Sequence, residues 1–369
     1  MGAVALYRRF RPDSFDKVIG QDHITTTLIN QVKSGNIAHA YLFTGSRGTG
    51  KTTCAKIFSK AINCQSPVNG SPCGKCEVCR ALEDESNMDI LEIDAASNNG
   101  VDEIREIRDK VKFPPVSAKY KVYIIDEVHM LSINAFNALL KTLEEPPKHA
   151  VFILATTEVR KLPATILSRC LRFDFRLVAS SLLEKLLKDI FAQVNISCDE
   201  DSLKVIANAG EGSVRDTLSI ADSVIAYGNN NVTYDIVLNV LGVSDREAII
   251  KLADSIISGD IGGVLDEIHN AFSSGKNLIS LSKDLTTHFR DLMVIKNCKD
   301  SENILSLPKD LLEKLSNQAN TVSAKKLLAF MEKLSGIEAD LKYALNPRVL
   351  LEITCLECAS LDENGSKKN

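Results

Sequence analysis

The sequence predicts an α/β fold of the P-loop nucleotide-binding type, a parallel sheet wound by helices, followed by all-α segments, and three observations carry that expectation. Gly45-Ser46-Arg47-Gly48-Thr49-Gly50-Lys51-Thr52 fits the phosphate-binding pattern G-x-x-x-x-G-K-[ST] at every specified position, between an apolar strand at Tyr41–Phe43 and an amphipathic helix at Ala55–Ile62. A second apolar run, Lys121–Ile125, ends in the adjacent carboxylates Asp126 and Glu127. Beyond Ala179 the apolar period turns helical throughout, with no further clear strand.

A chain of 369 residues with 44% hydrophobic content is expected to hold two or three domains with ample cores. The net charge of −4 argues against a surface coated in basic patches, so nucleic-acid contact must use local positive charge or a surface shared with partner chains. Nothing resembles a secretory signal, no apolar run approaches a membrane span, and Met1-Gly2 lacks the Ser or Thr at position 6 that myristoylation prefers; a cytoplasmic location is expected. Ten cysteines in such a chain point to a metal site rather than to a disulfide framework.

Taken in order, the chain opens on a basic arm, Tyr7-Arg8-Arg9-Phe10-Arg11-Pro12, a small apolar turn with Val18 and Ile19, and a periodic helix from Ile24 to Lys33. On charge alone the arginines could be a solvated face; arm, turn, helix and P-loop in this order also suit the cupping of an adenine by Arg11, Val18 and Ile19. In the P-loop, Gly45, Gly48 and Gly50 allow turns in which successive N–H groups point at phosphate oxygens, beside the positive end of the next helix. Ser46, Arg47, Thr49 and Thr53 complete the cradle, Lys51 reaches the β and γ phosphates of ATP, and Thr52 holds Mg²⁺.

Cys64, Cys73, Cys76 and Cys79 follow with spacing C-x8-C-x2-C-x2-C, among Pro67, Gly70, Pro72 and Gly74. Four thiolates so close in sequence can close on one ion, and a structural Zn²⁺ site would replace a core that so short an insertion cannot build. A redox dithiol or unrelated free cysteines are the plain alternatives, although no thioredoxin-like βαβ unit follows; an iron–sulfur cluster is the leading alternative metal group.

Asp89–Asp94 is read as a strand, Ala95–Gly100 as a polar loop and Val101–Val111 as a solvated charged helix. In the next strand Asp126 falls at the carboxyl edge of the sheet, where open α/β folds bind ligands; beside a P-loop, it supports Mg²⁺ and Glu127 polarises the attacking water. His129 is expected to pack rather than to act. A helix from Asn134 to Leu143 stops at Pro146-Pro147, and a strand from Ala150 ends in Thr156 and Thr157, where a hydroxyl can meet a phosphate or water or simply finish the strand. Leu162–Cys170 forms a short helix ending in Arg169, and Leu171–Phe175 is the last strand. Residues 179–242 are read as an all-α lid of three short helices, with Gly210–Ser213 capping the helix that carries Arg215. Residues 243–360 form a second helical domain with amphipathic runs near 245–257, 261–273, 277–298, 307–317, 323–345 and 347–360; Cys355 and Cys358 are core residues there. The polar tail, 361–369, is expected to be disordered.

These residues together resemble the gamma/tau subunits of bacterial DNA polymerase III, the AAA+ ATPases of the replicative clamp loader. The likeness rests on Arg11-Pro12, Val18-Ile19-Gly20-Gln21, the GSRGTGKT loop, the four-cysteine insertion and Glu92-Ile93-Asp94-Ala95-Ala96-Ser97. It continues in Ile125–His129, Asn137–Pro147, Ser168-Arg169-Cys170 and Gly212–Asp216, spans about residues 5 to 245, and weakens in the last third.

The resemblance implies that 1–178 is the ATP-binding domain with a zinc module at 64–79, and that 243–360 is an oligomerisation collar of a pentamer. It also implies that Thr157 is the sensor 1 residue, Arg169 an arginine finger for a neighbouring subunit and Arg215 the sensor 2 arginine acting in cis. The implied partners are delta and delta prime subunits, the sliding beta clamp and primed DNA; the implied class is a subunit of a DNA-directed DNA polymerase, without a polymerase site of its own. Two departures limit the transfer. Asn98, Asn99 and Gly100 stand where family members often carry basic residues, so no DNA contact is assigned to that loop. The sequence ends just past the expected collar, without the long tau extension that would bind polymerase and helicase. A structural assembly subunit that binds ATP without turnover, and a DNA helicase or remodeller of the same superfamily, are the competing readings; Glu127 and Arg169 speak against the first, the cysteine insertion and Ser-Arg-Cys against the second.

Overall fold

The computed structural model describes residues 4–84, 87–229, 231–241, 246–298, 300–305, 307 and 309–362. The chain divides into two compact units, Met1–Val237 and Leu238–Asn369. The first unit begins with α1 (Leu6–Arg9), α2 (Asp22–Ser34), β1 (Ala40–Thr44), α3 (Lys51–Asn63), α4 (Glu77–Ala81), β2 (Ile90–Asp94) and α5 (Val101–Lys110). It continues with β3 (Lys121–Asp126), α6 (Ile133–Glu144), β4 (Ala150–Thr156), α7 (Ala164–Leu167) and β5 (Leu171–Asp174).

These five strands form one sheet in the order β2-β3-β4-β1-β5, every pair parallel. Near-continuous apolar sequence in β1, β3 and β4 follows from burial on both faces. Tyr41, Phe43, Val122, Ile124, Val151 and Ile153 pack to one side with Leu28 and Phe58. Ala40, Leu42, Tyr123, Ile125, Phe152 and Leu154 pack to the other with Ile104 and Leu139. The strand order has a direct consequence for chemistry: β4 lies between β1 and β3, so the hydroxyls ending β4 stand between the P-loop and Asp126.

The lid segment holds α8 (Ser180–Gln193), β6 (Ser197–Cys198), α9 (Glu200–Ala209), α10 (Val214–Gly228), β7 (Asn231–Val232) and α11 (Tyr234–Val240). This corrects the expectation of three helices and no strand: a fourth helix follows α10, and Ser197 and Cys198 pair in parallel with Asn231 and Val232. Two-residue strands are too short for a period to register in sequence. Asp199 and Ser213 cap α9 and α10 by accepting from Ser202 N and Asp216 N.

The second unit is helical: α12 (Arg246–Ser258), α13 (Ile261–Ser273), α14 (Leu278–Asn297), α15 (Ser301–Leu305), α16 (Lys309–Asn320), α17 (Ala324–Gly336), α18 (Glu338–Tyr343) and α19 (Pro347–Ala359). The single run expected over 323–345 is two helices, divided at Gly336-Ile337. The core gathers Leu252, Ile256, Leu285, Phe289, Phe330 and Leu351 with Cys355 and Cys358, as expected for those cysteines. Leu361 is buried, so the expected tail begins one packed residue too early, and 363–369 lie outside the described residues. Among the described residues no helix is long and apolar enough to cross a membrane.

Candidate active site

The P-loop joins β1 to α3, and its glycines answer specific crowding. A Cβ on Gly45 (φ +142°) would collide with Phe175 O, and one on Gly48 (φ +74°) with Ser213 Oγ of the lid. Ser46 and Arg47 are exposed, while Thr49 is buried and donates through Oγ1 to Ser46 O (2.8 Å). Gly50 caps the helix whose first residue is Lys51. The Lys51 ammonium donates to Gly45 O (2.7 Å) and Ser46 O (2.8 Å). Burial lowers its pKa, against the opposing pull of Glu127 and Asp126.

Thr52 Oγ1 donates to Asp126 Oδ2 at 2.6 Å, joining the start of α3 to the end of β3. Two hard oxygen donors converging in this way suit Mg²⁺. Glu127 takes a left-handed backbone (φ +47°), a costly conformation for glutamate that turns its side chain away from the strand line. Its Oε2 accepts from Thr157 N (3.2 Å) and Thr157 Oγ1 (3.1 Å), so the predicted Glu127 and Thr157 are brought into direct contact.

His129 is packed, as expected, and its ring also has polar neighbours. Its side chain is only 6% exposed, yet Nδ1 lies 3.0 Å from Thr156 Oγ1 and 3.4 Å from Glu127 Oε2, and Nε2 lies 3.4 Å from Glu158 Oε1. A histidine three residues past a strand end gives no periodic signal of this; only the pairing of β3 beside β4 creates it. Gln21, fully buried, was likewise not legible as a site residue. Its Nε2 donates to Arg176 O (2.7 Å) and Thr49 O (3.5 Å), and its Oε1 accepts from Arg176 N (3.1 Å), so one amide ties the exit of β5 to the P-loop.

The lid meets the loop through backbone: Val214 N donates to Gly48 O (3.1 Å), which puts Arg215 beside the P-loop. Arg11 Nε donates to Thr53 Oγ1 (3.1 Å) on α3. Val18 is buried in the sheet core and Ile19 is half-buried. Arg169 stands apart from this group. It follows α7, and its guanidinium donates to Thr165 O (2.8 Å), Ser168 Oγ (3.2 Å) and Glu144 Oε1 (2.8 Å), none of them in the P-loop or the Asp126–Glu127 turn.

The four insertion cysteines converge, their sulfurs all within 4.8 Å of one another. An Asn69-Gly70 turn, both residues at positive φ, closes Val68 against Ser71 with two backbone hydrogen bonds of 2.9 Å and returns the chain so that Cys73 comes back to Cys64. Cys76 caps α4, which supplies Cys79. Backbone N–H groups already face the sulfurs: Cys73 N to Cys64 (3.3 Å), Cys76 N and Lys75 N to Cys73 (3.3 and 3.4 Å), and Cys79 N to Cys76 (3.4 Å). The donors from Lys75 and Cys76 bring the Cys73 thiol down to about 6, while burial pushes Cys79 up. Such a cluster can hold one metal ion.

Comparison with known proteins matches three family models along the chain. Residues 20–179 match the DNA polymerase III delta subunit model, 183–230 the ATPase lid domain of a DNA polymerase III clamp loader subunit, and 232–368 domain III of DNA polymerase III subunits gamma and tau. DNA polymerase III subunit tau of Bacillus subtilis is 44% identical over 97% of this chain and 63% of its own length. The gamma/tau subunit of Mycobacterium tuberculosis is 38% identical over 95% of this chain and 62% of its own length. DNA polymerase III subunit gamma of Buchnera aphidicola is 38% identical over 96% of this chain and 98% of its own length. The chain thus spans less than two thirds of the longer relatives and nearly all of a short one. By these matches it belongs to the gamma/tau subunit family of bacterial DNA polymerase III.

Proposed function

We propose that this chain is an ATPase subunit of a replicative clamp loader, in which ATP binding and hydrolysis drive the loading of a ring-shaped sliding clamp onto primed DNA. The observation that carries the reading is the meeting, at the carboxyl edge of one sheet, of Lys51, the Thr52–Asp126 pair and the Glu127–Thr157 pair. Lys51 neutralises the β and γ phosphates, and Glu127, its carboxylate oriented by Thr157, accepts the proton of the water that attacks the γ phosphorus. Thr52 and Asp126 are the Mg²⁺ ligands, and the ion supplies charge neutralisation on the phosphates. Arg215 reads the γ phosphate in cis, and Arg169 serves the ATP of a neighbouring subunit. Arg11 and Ile19, with the edge of Val18, border the adenine.

In this reading 1–178 is the ATP-binding domain, 179–242 the lid and 243–360 the collar of a cytoplasmic hetero-pentamer with delta and delta prime subunits. The four cysteines hold a structural Zn²⁺: sulfurs about 2.3 Å from a tetrahedral ion stand about 3.8 Å apart, and Cys64–Cys76 and Cys73–Cys79 stand at 3.9 and 4.0 Å. The test is phosphate release by the chain assembled with delta and delta prime subunits. Release should rise when beta clamp and primed DNA are added together. ATP binding with no release under any of these conditions would favour the non-hydrolysing assembly subunit instead.

A further inference from the structure

Residues 5–11 touch both halves of the ATP site proposed above. At one end Arg11 Nε donates to Thr53 Oγ1 of α3 (3.1 Å); at the other, Leu6 N donates to Asp222 Oδ2 of α10 (2.8 Å), with the Leu6 side chain buried. The arm that carries α1 is therefore fastened to the lid helix at Leu6 and to the P-loop helix at Arg11. Between the two fastenings the Tyr7 ring faces Arg215, whose guanidinium carbon lies 5.2 Å from the ring centroid; Arg8 lies 5.8 Å from the same centroid. The backbone that carries Arg215 is docked on the loop by the bond from Val214 N to Gly48 O, and a Cβ on Gly48 would stand 3.1 Å from Arg215 Cβ. The Arg215 guanidinium is exposed and makes no hydrogen bond or ion pair among the described residues, so the aromatic face is the group that orients it.

We propose that Tyr7 is a positioning residue for Arg215, presenting its guanidinium at the mouth of the P-loop where a γ phosphate lies; this rests on the ATP-site reading above. A long arginine side chain samples many rotamers, and a fixed π face narrows them toward one. The contact belongs to the γ phosphate alone, because the α and β phosphates are served by loop N–H groups and Lys51, which Tyr7 does not touch.

The test compares ATP and ADP affinities of the full chain in four variants: Tyr7→Leu, Tyr7→Phe, Arg215→Ala and the Tyr7→Leu/Arg215→Ala double variant. Tyr7→Leu keeps the apolar bulk and removes the π face; an exposed cation–π contact sets the expected loss of ATP affinity at roughly two- to fivefold, with ADP affinity unchanged. Tyr7→Phe should match the parent, and Tyr7→Leu should add nothing once Arg215 is alanine. Equal losses for ATP and ADP, or a full further loss in the double variant, would mean that Tyr7 only packs α1 and would overturn the proposal. If Arg215→Ala alone keeps the parent's preference for ATP over ADP, the arginine's own role is wrong and the Tyr7 role falls with it. If Arg215→Ala loses that preference while Tyr7→Leu keeps it, only the Tyr7 role falls.

Discussion

Lys51 of the first unit and Lys326 of the second, the two most deeply buried lysines among the described residues at 6% and 4% exposure, show how the same side chain is put to different uses. Lys326 Nζ donates to Ile257 O (3.0 Å), a carbonyl in the last turn of α12 with no partner inside that helix, and lies over the Phe330 ring. Its charge closes a helix end. Lys51 instead bonds carbonyls of its own glycine-rich loop, with Asp126 and Glu127 acting on it and the loop's N–H groups beside it. The lesson is general for this molecule. In the second unit several buried polar groups pair with each other, as in the chain from His288 Nε2 through Gln318 to Asp254, while Ser282 Oγ and His288 Nδ1 are buried with no hydrogen-bond partner among the described residues. Along the sheet edge, polar groups from separate strands converge on one place.

Substitution of the two lysines should separate nucleotide binding from folding stability. Lys51→Ala should abolish ATP binding with little change in folding stability, since it removes the loop's fixed charge against the β and γ phosphates. Lys326→Met should do the reverse, leaving ATP affinity intact and costing about 1–3 kcal/mol in unfolding by denaturant, because a buried carbonyl loses its partner. Glu127→Gln should keep ATP bound while single-turnover hydrolysis falls by roughly 10²–10⁴. Equal loss of ATP binding in Lys51→Ala and Glu127→Gln would undo the division of roles at the sheet edge.

Arg169 extends the same contrast to a surface group. As the partner of Glu144, with side chains 33% and 49% exposed, it is worth well under about 1 kcal/mol of stability. As a finger in trans it is worth roughly a thousandfold in hydrolysis. Arg169→Ala should bind ATP normally, yet its assembled complex should turn over poorly. Mixing Arg169→Ala with Lys51→Ala chains should restore part of the activity, because only mixed oligomers place an intact loop beside an intact finger. No recovery despite proven mixed assembly would assign Arg169 to the Glu144 contact alone.

The two groups of cysteines give the next comparison. One Zn²⁺ per chain should be found by elemental analysis, and chelation should unfold the 64–79 module while disturbing the P-loop only indirectly. Cys73→Ser should lose the metal; Cys355→Ser should keep it and destabilise the helical unit by about 1–3 kcal/mol, since a hydroxyl replaces a thiol that has no exposure. Iron with visible absorbance, or no metal at all, would overturn the zinc assignment.

Much of this was legible in the sequence because its signals are local. A P-loop, two carboxylates closing an apolar strand and four closely spaced cysteines each lie within a few turns of chain, and the sheet order then brings the first two together. What was not legible depends on contacts between distant segments. Gln21 matters because Arg176 and Thr49 are beside it, and His129 because β4 runs next to β3. Tyr7 reads as one more residue of a basic arm until α10 is seen against α1. The β6–β7 pair was missed because two residues carry no period.

The finest probe of the second unit is the pH response of His288. Its side chain is buried, its Nε2 lies 2.6 Å from Gln318 Oε1, and its Nδ1 has no hydrogen-bond partner among the described residues. Gln318 Nε2 donates to Ile250 O and Asp254 Oδ1, so its carbonyl oxygen faces the ring and Nε2 of His288 carries the proton. A second proton would place an N–H at Nδ1 with nothing to accept it. Burial accordingly lowers the pKa from 6.5 to about 4, Arg246 adding to the shift while Gln318 and Asp254 oppose it. Between those values the unfolded chain binds more protons than the folded one. The stability that His288 contributes is therefore complete above pH 6.5 and is lost as pH falls toward 4, by at most about 3 kcal/mol. Asp291, whose carboxyl is raised by burial, responds in the opposite direction, so the measurement must be a difference. Unfolding of the parent and of His288→Gln, each followed from neutral pH downward, should give curves that converge in acid, with the imidazole's own NMR titration midpoint near 4. Parallel curves and a midpoint near that of a free histidine would show that water reaches the ring and that burial does not hold the imidazole neutral.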